Sequence, residues 1–253
     1  MSEYILTTQA LTKTFMGFTA VDGIDLRVRR GSIHALIGPN GAGKTTVFNL
    51  LTKFLQPSAG KIFYKGHEIT HKGPGVVAKD GLIRSFQISA VFPNMSVLEN
   101  VRVALQRKVG TSFHFWKSEK SLQPLNDKAM MLLKEVGLEA YADEQAVALP
   151  YGHKRALEIA TTLAMDPELM LLDEPTQGMG HEDVGRVVAL IRRVSTNRTV
   201  LMVEHNMNVI ANLCDTITVL TRGTVLAEGS YETVSQDPLV LQAYVGSTEQ
   251  SHV

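Results

Sequence analysis

The stretch GPNGAGKTT (Gly38, Pro39, Asn40, Gly41, Ala42, Gly43, Lys44, Thr45, Thr46) fits the pattern G-x-x-x-x-G-K-[ST]. It sits between a short apolar run ending at glycine, SIHALIG (32–38), and a helix-like run, KTTVFNLLTKFL (44–55). Strand, glycine-rich turn and helix in that order are the setting in which such a loop binds phosphate. Gly38, Gly41 and Gly43 open backbone conformations closed to residues with a Cβ, so successive N–H groups can converge on phosphate oxygens. The helix that starts near Gly43 adds the positive end of its dipole. Lys44 brings a full charge to the β- and γ-phosphates, and the Thr45 hydroxyl is a ligand for Mg²⁺. The plainer alternative is a glycine-rich turn carrying a surface lysine.

Three further places carry chemistry that a phosphate loop needs. LMLLDEP (169–175) is an apolar strand ending in two acids. Asp173, at the C-terminal edge of that strand, suits Mg²⁺ held through water, and Glu174 can take a proton from a water attacking the γ-phosphate. The same text alone also reads as a solvated strand end. VLMVEHN (200–206) repeats the pattern and places His205 on the same edge, where a neutral imidazole can donate to the γ-phosphate and orient water. Glu204 is the lesser candidate there. Gln87 ends LIRSFQ (82–87), where it can reach Mg²⁺ or the attacking water.

Around these points the chain alternates. GKIFYKG (60–66) and LIRSF (82–86) read as strands, and 88–165 as mainly helical. SVLENVRVALQRK opens with a Ser96–Glu99 capping-box pattern, and LNDKAMMLLKEVGL is an amphipathic helix stopping at Gly137. The last third runs strand, helix, strand, helix, strand, strand: ELMLLDE, EDVGRVVALIRRV, RTVLMVEH, NMNVIANLC, TITVLTRG, TVLAEGS. That alternation predicts a mostly parallel sheet covered by helices and interrupted by a helical block. A polar tail with the helix-like PLVLQAYVG follows.

At 253 residues and 44% hydrophobic content the chain can bury a substantial core. Its 25 basic residues balance 25 acidic ones, so charge does not ask for nucleic acid or an anionic membrane as partner. Cys214 is the single cysteine, which rules out an internal disulfide and fits a reducing compartment. No apolar run approaches the roughly 20 residues that cross a bilayer, and the start lacks the pattern of a signal peptide. Any membrane role is expected to come through a partner.

In this order the pieces resemble the ATP-binding cassette (ABC) family: phosphate loop, glutamine loop, a signature opening a helix, the Asp-Glu strand end, and a switch histidine. The resemblance implies an α/β fold: a P-loop NTPase core with a mostly parallel sheet, an N-terminal antiparallel β part and an inserted α-helical subdomain. It divides one cassette (1–253) into an ATP-binding core (1–87 and 166–230), a helical subdomain (88–165) and a C-terminal tail (231–253). ATP and Mg²⁺ are the implied ligands. LPYGH (Leu149, Pro150, Tyr151, Gly152, His153) occupies the signature position, which in this family faces the ATP of a second, head-to-tail cassette. It departs from the family's LSGGQ: proline lacks both the serine hydroxyl and an N–H, although it suits the first turn of a helix. Gly152 keeps its N–H, and His153 can still donate. Gly180 stands where the family often has aspartate, which puts communication between the two ATP sites in doubt. Phe15 matches the aromatic that stacks on adenine.

GLIRSFQISAVFPNMSVLENV, the relaxed signature, DEPTQGM, VEHNMNVI and AEGSYETVSQDPLVLQAYVG look like the ATP-binding subunits of branched-chain amino-acid-type importers. That implies a second ATPase subunit, unlike or identical, two membrane permeases, a periplasmic solute-binding protein, and a place on the cytoplasmic face of the bacterial inner membrane. Val91, Phe92 and Met95 would line the groove for a permease helix, or belong to the core of the helical block. TSFHFWK (111–117) is expected to pack locally rather than against a partner. Two rival readings stay open. One is a regulatory or assembly subunit that binds nucleotide and seldom hydrolyses it. The other is a non-transport ABC ATPase of DNA repair or translation, opposed by the single phosphate loop, the single cysteine and the lack of a long heptad insert.

Overall fold

The computed structural model describes residues 3–85, 91–109 and 123–248. An antiparallel sheet forms from β1 (Tyr4–Phe15), β2 (Phe18–Ile24), β3 (Arg27–Arg29), β5 (Ala59–Tyr64) and β6 (His67–Glu68), in the order β2-β1-β5-β6 with β3 also paired to β1. The second sheet runs β11-β10-β4-β9-β8-β7. Its members are β4 (Ile33–Ile37), β7 (Leu82–Arg84), β8 (Leu169–Asp173), β9 (Thr199–Val203), β10 (Thr216–Thr221) and β11 (Thr224–Gly229). β11 alone pairs antiparallel, as a hairpin with β10. The helices are α1 (Lys44–Leu51), α2 (Pro74–Lys79), α3 (Val97–Val109), α4 (Gln123–Val136), α5 (Tyr151–Ala164), α6 (His181–Val194), α7 (Met207–Leu213), α8 (Tyr231–Ser235) and α9 (Pro238–Thr248).

The parallel sheet is covered on both faces, as its uninterrupted apolar strands require. In β4, Ile33, Ala35 and Ile37 pack with helix residues such as Leu157, Ile191 and Ile210. Leu36 points the other way, to Phe48 and Leu51 of α1 and to Ile5 and Leu6 of the first sheet. α1 is thereby enclosed between the sheets, and the turn before it is held from both sides. In the helical block Val101, Leu133 and Leu157 pack on one another at essentially zero exposure, each burial contributing about 1.5–3 kcal/mol.

Local signals explain most boundaries. Ser96 N donates to Glu99 Oε2 at 2.8 Å and Glu99 N to Ser96 Oγ at 3.1 Å, the reciprocal capping box that starts α3. α4 ends before Gly137, which takes a positive φ of 76°. Two expectations shorten. α1 stops at Leu51 rather than at 55, because the Thr52 hydroxyl folds back on Phe48 O at 2.7 Å and Lys53 turns left-handed at φ 66°. β7 stops at Arg84, although Ser85 N still reaches Leu171 O at 2.9 Å. Gln87 and residues 88–90, together with TSFHFWK (111–117), lie outside the described residues.

Candidate functional site

β4 delivers the phosphate loop to the C-terminal edge of the sheet. Gly38, Gly41 and Gly43 all take positive φ, at 147°, 77° and 102°. At two of them space is closed as well: a Cβ on Gly38 would lie 2.1 Å from Leu220 O, and one on Gly43 2.6 Å from Ala20 O. Glycine is therefore required there by both torsion and neighbours. Gly223 N donates to Ala42 O at 3.1 Å, so the β10–β11 turn closes the loop from outside. Tyr244 of α9 hydrogen-bonds to the Gly38 backbone, while burial pushes its phenol up to about 12. Pro39 is half-buried, and Asn40 and Thr45 are exposed.

Lys44 is buried, and its Nζ donates to Gly38 O at 2.7 Å and Pro39 O at 3.0 Å. Desolvation lowers its pKa, while Glu174 and Asp173 pull it back up. The lysine thus sits in the field of both acids at the end of β8. Asp173 ends the strand in register with Val203 of β9. Its Oδ2 pairs with Arg84 Nη2, and Arg84 Nη1 is anchored by Asn49 Oδ1 at 2.6 Å. Oδ1 of Asp173 accepts no hydrogen bond among the described residues, and with the exposed Thr45 hydroxyl it offers the hard oxygen donors that Mg²⁺ prefers.

Glu174 is a non-glycine residue at φ 46°, a left-handed turn at the strand exit that Glu174 N fastens to Val203 O at 2.9 Å. The turn directs its carboxylate at His205, whose Nε2 lies 2.9 Å from Glu174 Oε1. The pair opens into a cleft of about 440 Å³ that Asn40, Thr176, Gln177 and Glu204 also line. A carboxylate and an imidazole in contact, facing the phosphate loop, can accept a proton from water and hold that water in place.

Pro150, at φ −56° and ψ 158°, immediately precedes α5 and gives it no side-chain cap. Leu149 is buried; Tyr151 is exposed, and its hydroxyl donates to Gln177 O at 3.0 Å. Gly152 packs closely on α6: a Cβ there would meet the Asp183 side chain, its Oδ1 at 2.8 Å. The His153 ring packs on Tyr141 with centroids 4.7 Å apart and its Nδ1 buried. Arg155, buried one turn in, donates to Pro175 O at 3.2 Å and Asp173 O at 2.8 Å and pairs with buried Glu158. The signature segment and the acidic strand end are thus wired together within one chain. Phe15 stands apart, 40% exposed at the end of β1, with Lys13 Nζ 5.1 Å from its ring centroid. Gly180 caps α6, whose first turn carries Glu182 and Asp183.

Sequence reasoning passed over Arg84, Arg155, Tyr244 and the part played by Glu204. Their neighbours in sequence were the signals: Arg84 is three residues from Gln87, Arg155 follows the signature, and Glu204 precedes His205.

Comparison with known proteins agrees with this geometry. A protein-family profile described as ABC transporter matches residues 21–177. The chain is 38% identical over 256 residues to the high-affinity branched-chain amino acid transport ATP-binding protein BraF of Pseudomonas aeruginosa, covering 97% of this chain and 99% of that one. It is 36% identical over 258 residues to LivG of Escherichia coli K12, of the same description, with the same coverage. Among solved structures, an ATP-binding cassette of an ABC transporter in its ADP conformation superposes with a TM-score of 0.84 at 28% identity, covering 97% of this chain and 100% of that one. A component of a transporter complex from Clostridium perfringens gives 0.79 at 26%, covering 95% and 94%. This chain therefore belongs to the ABC transporter family, as an ATP-hydrolysing cassette subunit.

Proposed function

We propose that the chain couples ATP binding and hydrolysis, at the interface of a cassette pair, to uptake of branched-chain amino acids or a related small solute. The observation that carries this reading is the near end-to-end similarity to the two branched-chain transport subunits, at 97% of the chain. In this reading the N–H groups of the loop 38–46, other than Pro39 which has none, and Lys44 hold the triphosphate, and Phe15 stacks on the adenine. Thr45 and Asp173, with Gln87, would hold Mg²⁺, which supplies charge neutralisation of the β- and γ-oxygens. Glu174 takes the proton of the attacking water while His205 orients it. The start of α5, from Leu149 to His153, contacts the γ-phosphate held by the other cassette through N–H groups and dipole.

The other cassette is an unlike or identical subunit. Two membrane permeases receive the stroke and a periplasmic binding protein selects the solute, so the chain works peripherally on the cytoplasmic face of the inner membrane. No described helix is long and apolar enough to cross a membrane. Phe92 and Val147 are both about half exposed and neighbour each other through the Val147 N to Pro93 O bond of 2.9 Å. They form an apolar surface suited to a permease helix. The test is uptake of labelled leucine, isoleucine and valine by cells in which the chain is replaced by Glu174→Gln. Loss of that uptake with other solutes unaffected supports the reading; unchanged uptake overturns it.

A further inference from the structure

Glu204 is 3% exposed and has no cationic partner among the described residues. Its carboxyl group accepts four hydrogen bonds. Oε1 accepts from Thr176 N at 3.1 Å and from the Thr176 hydroxyl. Oε2 accepts from His205 N at 2.7 Å and Asn206 N at 3.1 Å. Three of the partners are backbone N–H groups and the fourth is a hydroxyl, so both oxygens are met by donors. The two oxygens serve different loops. Thr176 belongs to the segment leaving β8 two residues after Glu174, whereas His205 and Asn206 leave β9, and Asn206 caps α7. Above this crosslink the two loops meet again, where His205 Nε2 lies 2.9 Å from Glu174 Oε1.

We propose that Glu204 is a positioning residue for hydrolysis: one buried carboxylate clamps both loops and so fixes the distance and angle between Glu174 and His205. The inference rests on the roles given above to that pair. A glutamine at 204 fits the same space but must turn its NH₂ toward one set of N–H donors. One loop is then repelled, and the Glu174–His205 contact loses its alignment.

The experiment is steady-state ATP turnover of the full chain in the assembled transporter. It compares Glu204→Gln, Glu174→Gln and their double variant with Thr176→Val and Thr176→Ser. Glu204→Gln is expected to lower kcat roughly ten- to hundredfold, the scale of losing an outer-shell orienting partner, while KM for ATP stays within about twofold. Thr176→Val should lower kcat in the same sense, and Thr176→Ser, which keeps the hydroxyl, should restore it. In the Glu174→Gln background, Glu204→Gln should add less than about twofold, because it acts through a pair already broken. A structural role alone would lower both backgrounds by the same factor. Wild-type kcat in folded Glu204→Gln or in Thr176→Val, or additive losses in the double variant, overturns the proposal. Normal turnover in Glu174→Gln overturns instead the roles on which it rests. Should Glu204→Gln fail to fold, the Thr176 pair decides the matter by the same criteria.

Discussion

α1 and α5 are two helix starts at the candidate site, and they are built on different plans. α1 is preceded by three left-handed glycines, encloses its own lysine, and is clamped by Leu220, Gly223 and Ala20. Every part needed to grip an anion comes from within one chain. α5 opens on a proline with no cap, packs its histidine against Tyr141, and leans on α6 through Gly152 and Asp183. It brings a dipole and a few N–H groups but no cation of its own among residues 149–153. The first gathers backbone donors and a cation at one place; the second offers backbone donors alone.

The contrast can be broken at either end. Gly38→Ala carries the largest expected effect. A Cβ 2.1 Å from Leu220 O, at φ 147°, cannot be accommodated without moving the loop, so ATP binding by calorimetry should be lost outright. Retained binding would mean that the loop is not clamped as described. At the signature side, Arg155→Met removes three hydrogen bonds and leaves Glu158 buried alone, with one oxygen already unpartnered and its pKa already raised by desolvation. Urea unfolding should show a loss of about 3–5 kcal/mol. A loss under about 1 kcal/mol would show that the tie between α5 and the acidic strand contributes little.

His34 probes the floor beneath the phosphate loop. It is buried in β4, where its Nε2 meets Thr218 Oγ1 at 2.7 Å while that hydroxyl donates to Glu228 at 2.6 Å. Because the threonine hydrogen goes to the carboxylate, Nε2 carries the imidazole proton. Burial lowers the pKa from 6.5 to about 4. The folded state therefore resists a proton that the unfolded chain accepts. Stability from this residue is full above pH 6.5 and is lost as pH falls from 6.5 to about 4, by about 3 kcal/mol in total. Unfolding free energies measured across that range should flatten by this amount in His34→Gln relative to the parent. Equal slopes would refute the assignment.

Glu174→Gln should slow turnover at least about 100-fold with ATP binding kept, a loss near 2.7 kcal/mol. Near-normal turnover would move the base elsewhere. Pro150→Ser is the mildest. It restores a hydroxyl and an N–H to the start of α5, and should raise turnover of the assembled pair a few-fold without changing stability by more than about 1 kcal/mol. No change would mean that the dipole and the Gly152 N–H already suffice.

These differences also mark what could be read from the chain. The phosphate loop, the Asp173–Glu174 strand end and His205 are contiguous runs whose chemistry depends on residues a few positions apart, and their strand-turn-helix context was legible. So was the parallel sheet, from its unbroken apolar strands. Glu204 was not, because its meaning depends on Thr176, which is 28 positions away in sequence and adjacent only once β8 and β9 pair. Arg155 and Arg84 escaped for the same reason: each reads as a surface cation until tertiary contacts bring it to Asp173. The early end of α1 was missed because Thr52 competes for a backbone carbonyl, an event invisible to hydrophobic periodicity.

The closure of the phosphate loop by Leu220, Gly223 and Tyr244 bears on how the protein is made. β4 finds its neighbours only once β9 (Thr199–Val203) and β10 (Thr216–Thr221) have been made. At bacterial-to-eukaryotic elongation rates of 5–20 residues per second, about ten to forty seconds separate synthesis of the loop from synthesis of its clamp. Through that interval the nascent polypeptide holds the glycine-lysine motif without the walls that shape it. Closure of the loop thus waits on synthesis through Leu220, Gly223 and Tyr244.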